Sequence, residues 1–142
     1  MIVVDGKDAI VGRLATFVAK ELLRGNWVTV VNAEKTIITG RRESIFEEWD
    51  TWMNTRNLAN PRKGPFHHRY PEDILRRTIR GMLPYHKAKG KAAYKRLRVY
   101  RGVPEELEGK EMVKVQGADV GRLKTGRYIR LEELSKHLGA KL

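Results

Sequence analysis

The chain has 142 residues, 41% apolar and 32% charged, and its 29 Lys and Arg against 17 Asp and Glu leave a net charge of +12. A chain of this length buries about two-thirds of its unfolded surface, so one domain over residues 1–142 is expected rather than disorder. The lack of cysteine excludes a disulfide framework, a cysteine nucleophile and a thiolate metal site, and no apolar run reaches the roughly 20 residues of a membrane span.

Met1–Asp5 is a short β-rich apolar run before Gly6 and predicts a buried strand. In the following stretch Leu14, Phe17, Val18 and Leu22 recur at helical spacing, and Gly25 stands where a helix-ending glycine belongs. Trp27–Asn32 and Thr36–Thr39 predict two further strands. Strand, helix and strand within about 30 residues form a βαβ unit, which implies a parallel sheet. Glu43–Arg56 reads as a helix with Ile45, Trp49, Trp52 and Met53 on one face, and Gly40 with Glu43 resembles a capping pair. Asn57–Tyr70 reads as a loop.

Pro71–Leu83 predicts a third helix, with Pro71 at its first position and Glu72 and Asp73 at the positive end of its dipole. Ile74, Leu75, Ile79 and Met82 form its apolar stripe, and Arg76, Arg77 and Arg80 share the opposite side. Gly90–Arg96 predicts a short basic helix, Leu97–Tyr100 a strand and Leu131–Leu138 a final helix, with Pro104–Arg127 rich in loops. Met82 and Leu97 are expected to anchor the basic segment in the core. The glycines at 81, 90 and 102 serve either close approach to a ligand or ordinary turns.

The charge is confined. Residues 1–54 carry net −1, residues 105–142 net +1, and residues 55–104 carry 14 basic against 2 acidic side chains. Ile74–Pro104 holds ten Lys and Arg and no carboxylate. Cations so crowded repel one another unless an anionic partner supplies counter-charge. Tyr85, His86, Tyr94 and Tyr100 are interleaved with them, and Arg both pairs with phosphate and stacks on bases. No helix-turn-helix pattern is evident, so Gly- and Pro-punctuated basic loops favour folded RNA over duplex DNA.

Enzyme chemistry has little support. Gly6-x5-Gly12-Arg13 has one residue too many for a phosphate-binding loop of the Walker type and no hydroxyl for magnesium, so it reads as a tight strand-to-helix turn. His67 and His68 are adjacent and poorly disposed to chelate together, His86 lies among lysines, and His137 sits near a helix end. Ser44 and Ser135 are not in a nucleophile elbow. Trp49 and Trp52 are either an aromatic platform for bases or core, and core is the simpler reading. No catalytic residue, metal or cofactor is expected.

Two longer patterns carry a family resemblance. Ile79-Arg-Gly-Met-Leu-Pro84, Gly90-Lys91 and Leu97-Arg-Val-Tyr100-Arg-Gly102 are similar to the signature of the thirteenth large-subunit ribosomal protein family. VDGKDAIVGRLATFVAKELLRG and VVNAEKTIITG resemble the same family's opening, and the start and the Trp-containing helix resemble its archaeal and eukaryotic branch. The resemblance implies a three-layer α/β/α sandwich on a four-stranded, mostly parallel sheet of order 3-2-1-4. It implies a non-catalytic constituent of the cytoplasmic ribosome that binds large-subunit ribosomal RNA, touches neighbouring ribosomal proteins and supports assembly, with no membrane and no small-molecule substrate. The RNA-facing segment would span about residues 56–104. Within it charge selects Arg62, Lys63, His67, His68, Arg69, Arg76, Arg77, Arg80, Tyr85, His86, Lys87, Lys89, Lys91, Lys95, Arg96, Arg98 and Arg101. The rival is a nucleic-acid- or nucleotide-binding α/β domain outside the ribosome, with its ligand near Gly6–Arg13 and Asn32.

Overall fold

A computed structural model describes residues 1–55, 58–60, 62, 66–119, 121 and 126–141. In chain order the elements are β1 (Ile2–Asp5), α1 (Val11–Leu23), β2 (Val28–Val31), β3 (Ile37–Thr39), α2 (Arg42–Met53), α3 (Pro71–Gly81), α4 (Ala88–Lys95), β4 (Leu97–Val99), β5 (Tyr128–Arg130) and α5 (Leu131–His137). Short 3-10 turns cover Ala33–Lys35 and Glu105–Leu107.

The apolar runs at 2–5 and 28–31 pair in parallel, Ile2 with Val28 and Val4 with Val30, as the βαβ pattern requires. The strand β4 joins the other edge of β2, so among the described residues the parallel sheet has three strands in the order β1-β2-β4. The expected four-strand order 3-2-1-4 is not what these residues form. Val113 occupies the free edge of β1, donating to the Val3 carbonyl at 2.8 Å and accepting from Asp5 at 3.0 Å. That leaves β4 the edge of β2. The 3-10 turn at Ala33–Lys35 carries β3 out of the sheet, and β3 pairs antiparallel with β5 instead.

Alternation along the strands separates two faces. Val4, Val28, Val30, Leu97 and Val99 join the main core, together with Leu14, Val18 and Leu22 of α1 and Ile74, Leu75 and Ile79 of α3. Full burial of each such Leu or Ile contributes about 1.5–3 kcal/mol, an upper value because the unfolded chain already hides some surface. Helix α1 lies against α3 and α4, and α3 lies on β4. The other face is thinner. Val3 and Val31 pack on Leu107, with Val103 and Met112 beside them. Among the described residues, the 103–112 segment with its 3-10 turn packs on this face, where the resemblance implied a helical layer.

Helix α1 ends as its sequence predicts. Gly25 takes φ +97°, and its N–H reaches the Leu22 carbonyl at 3.1 Å while Asn26 reaches Glu21 at 3.2 Å. This pattern satisfies two end carbonyls and needs a left-handed residue, which glycine adopts without penalty. The capping pair expected for α2 is absent: its N-cap is Arg41, with no side-chain capping bond. Ser, Thr, Asp and Asn carry the short acceptor that this position uses, and Arg has none. Met82 is also not a core anchor. It is 42% exposed because α3 stops at Gly81 and the chain turns outward, whereas Leu97 is fully buried in β4.

Candidate nucleic-acid interface

The basic segment folds into α3, a tight turn and α4. Ile74, Leu75 and Ile79 bury one side of α3, which turns Arg77 outward and leaves Arg76 and Arg80 half-buried at its flank. Helical spacing sets Arg76 and Arg80 one turn apart. The turn is drawn tight by Tyr85 donating to the Leu83 carbonyl at 2.8 Å and Lys87 to Pro84 at 3.0 Å. Gly90 of α4 seats directly on that turn. A Cβ there would lie 1.9 Å from the Pro84 oxygen and 2.2 Å from its carbonyl carbon. This glycine serves close approach within the chain itself, while Gly81 and Gly102 face open space.

The packing of the turn on α4 brings Tyr85 and Tyr94 edge to face, with ring centroids 5.6 Å apart. The Arg80 guanidinium lies 3.9 Å over the Tyr85 ring, and that of Arg76 lies 5.2 Å over Tyr94. Each such contact is worth about 0.5–1 kcal/mol at an exposed site and orients a guanidinium while leaving N–H groups for an anion. A cleft of about 500 Å3 opens beside this ladder, lined by Arg77, Arg80, Tyr85, His86 and Lys87 among others. Lys87, Lys91 and Lys95 repeat every four residues and are exposed, as is Lys89. Among the described residues, none of the cations from Arg76 to Arg98 forms an ion pair with a carboxylate; those pairs lie elsewhere, as in Arg130–Asp8 at 2.7 Å and Arg101–Glu72 at 3.2 Å.

Four of the sequence-selected residues are turned to other tasks. Arg96 points inward, where its Nη2 donates to the Leu22 carbonyl at 2.7 Å and closes the end of α1. Arg98 is paired in register with Thr29 and so points from the thin face of the sheet, away from α3 and α4. Its Nη1 donates to the Leu97 carbonyl at 3.0 Å. Arg101 is held by Glu72 and lies 5.5 Å over the Tyr70 ring. His67 is half-buried: its Nε2 donates to the Thr55 carbonyl at 3.1 Å, and its ring meets Trp52 edge-on at 4.4 Å. Arg62 and Arg69 are exposed on the preceding segment, and Lys63 lies outside the described residues.

A second cleft, of about 280 Å3, shares Arg77 with the first and is lined also by Trp49, Trp52, Phe66, His68, Ile74 and Thr78. The sequence favours packing over base stacking for this pair of Trp residues, with at least one in the core. Both are half-buried and border this opening, and Trp49 also packs against the main core. Phe66, Trp52 and Tyr94 were not selected as site residues. The usable signal was an aromatic within a basic loop or helix, which Phe66 and Tyr94 both fit.

The start of α1, where the rival nucleotide site was expected, is covered by other described residues. Segment 117–119 lies across it: Ile10 donates to the Ala118 carbonyl at 2.6 Å and Arg13 Nη1 to Gly117 at 2.6 Å. The Asn32 amide is spent on Asp5 at 2.9 Å.

Comparison with known proteins agrees with the signature residues. The family described as Ribosomal protein L13 matches residues 1–106. The chain is similar to the large ribosomal subunit protein uL13 of Methanocaldococcus jannaschii, 49% identical over 142 residues and 99% of each chain. It is similar to that of Methanococcoides burtonii, 45% identical over 99% of each. It is also similar to that of Sulfolobus acidocaldarius, 46% identical over 98% of this chain and 93% of the other. The match spans the basic segment and the scaffold that mounts it, and the chain belongs to the ribosomal protein L13 family.

Proposed function

We propose that the chain is a structural, non-catalytic constituent of the large ribosomal subunit, that it binds large-subunit ribosomal RNA and that it supports assembly beside neighbouring ribosomal proteins. Its place is then the cytoplasmic ribosome; among the described residues no helix is long and apolar enough to cross a membrane. Residues 1–142 act as one domain, which the continuous core running from Val4 to Leu138 supports. The site binds through phosphate neutralisation and needs no cofactor.

The observation that carries this reading is the unneutralised cation array on α3, the turn and α4. Lys87, Lys89 and Lys91 crowd the start of α4, whose first turn has no acid. Positive charge at that end opposes the helix dipole, and an anion there removes the cost. Arg76, Arg77, Arg80, Lys87, Lys89, Lys91 and Lys95 form the central clamp, with Tyr85, His86 and His68 beside it. Arg62, Lys63 and Arg69 extend it along the preceding segment. Arg96, Arg98, Arg101 and His67 serve it by holding the scaffold or lie at its margin.

Each neutralised phosphate releases counterions and steepens the salt dependence of binding by roughly 0.7–0.9 in log–log slope. The double substitution Arg76→Glu and Arg80→Glu is expected to weaken binding to a large-subunit RNA fragment and to reduce that slope by about 1.4–1.8, with unchanged far-ultraviolet circular dichroism. A double variant that folds and binds as tightly as wild type, with the same slope, disproves the clamp.

A further inference from the structure

The two clefts share one lining residue, Arg77, which is exposed and has no ion-pair partner among the described residues. On one side of it lies the cleft with Tyr85 and Arg80, and on the other the cleft with Trp52 and Phe66. Phe66 is 69% exposed and presents its ring at the second cleft beside Trp52. Aromatic faces beside a cation are the recurring means of holding unpaired nucleotides, because every base has a π-face and every linkage a phosphate. A base-paired helix keeps its bases stacked inward and offers neither cleft a partner.

We propose that Arg77 holds one phosphate of a single-stranded RNA segment and that the two flanking bases enter the two clefts. One base lies against Trp52 and Phe66, with His68 at the rim. The other lies against Tyr85, beside Arg80, which lines the same cleft. The site therefore selects unpaired over paired RNA, which phosphate neutralisation alone does not do. The charge supports RNA rather than a peptide as occupant: both clefts are lined in part by the segment 55–104, which carries the whole net charge of the chain. This inference rests on the RNA-binding reading above.

The test uses the full chain and three labelled probes read by fluorescence anisotropy: a ten-nucleotide single strand of RNA, the same length built of ribose–phosphate without bases, and an RNA duplex of that length. The base-containing strand is expected to bind at least about tenfold more tightly than the base-free one, and more tightly than the duplex. Phe66→Ser, at an exposed position that leaves the core intact, and Trp52→Leu each narrow that gap without weakening the base-free strand. Arg77→Gln weakens both strands. Equal binding of the two strands, or tighter binding of the duplex, overturns the base clefts and leaves the phosphate clamp standing. If none of the probes binds at low salt, both readings fall.

Discussion

Gly90→Ala sets two physical effects against each other. Glycine within a helix costs about 1 kcal/mol relative to alanine, so helix propensity alone predicts that the substitution stabilises α4. The packing predicts the reverse. The new Cβ would sit 1.9 Å from the Pro84 oxygen, 2.2 Å from its carbonyl carbon and 2.8 Å from the Tyr85 nitrogen. All three are backbone atoms that no rotamer change can move aside. The gap must open by about 1 Å before the contact reaches the shortest separations that folded chains tolerate. Forced repacking of this kind costs about 1–3 kcal/mol. Opening the turn also strains the Lys87–Pro84 hydrogen bond, worth about 0.5–1.5 kcal/mol. Against a gain of about 1 kcal/mol, the net loss is about 2 kcal/mol. At this chain length that lowers the melting temperature by roughly 5–10 °C. Thermal unfolding followed by circular dichroism measures it, with Gly12→Ala and Gly81→Ala as controls. Both control glycines are helical and have open space around the added carbon, so those variants melt at or slightly above the wild-type temperature. If Gly90→Ala melts as high as wild type, the close approach of α4 to Pro84 is wrong, and with it the placement of Tyr85 under Arg80.

Two further outcomes separate scaffold from interface. Arg96→Met loses a charge-assisted bond to the Leu22 carbonyl and destabilises by about 1.5–3 kcal/mol in urea unfolding, with RNA affinity per folded molecule almost unchanged; a large affinity loss at full stability would return Arg96 to the clamp. Leu97→Ala opens the core and costs about 2–5 kcal/mol in the same assay, whereas Met82→Ala stays within about 0.5 kcal/mol because that side chain is at the surface; equal costs would contradict the outward turn after α3.

The parts of the fold readable from sequence are those set by neighbours in the chain. The strands at 2–5 and 28–31 follow from short apolar runs, and α1 and α3 from their 3.6-residue periodicity. What failed depends on residues far apart. Strand β5 is three residues long and exists through its pairing with β3, some ninety positions earlier, so nothing local marks it within a loop-rich stretch. The sheet order hinges on Val113 reaching the edge of β1. The site divides the same way. Charge composition marked the basic segment as the candidate, and helical spacing put Arg76 and Arg80 together. Composition could not tell Arg77, which faces outward, from Arg96, whose partner is a carbonyl 74 residues away. Nor could it tell a cation in open solvent from Arg101, which Glu72 holds across the fold.

The most direct test of the central claim is sedimentation of a tagged copy through a density gradient, in extracts of its own or a related cell, after a high-salt wash. Phosphate contacts weaken steeply with salt, so such a wash strips proteins held only by loose surface charge. An integral ribosomal constituent stays with the large subunit at one copy per particle. Recovery at the top of the gradient, while the subunits remain intact, would contradict that role.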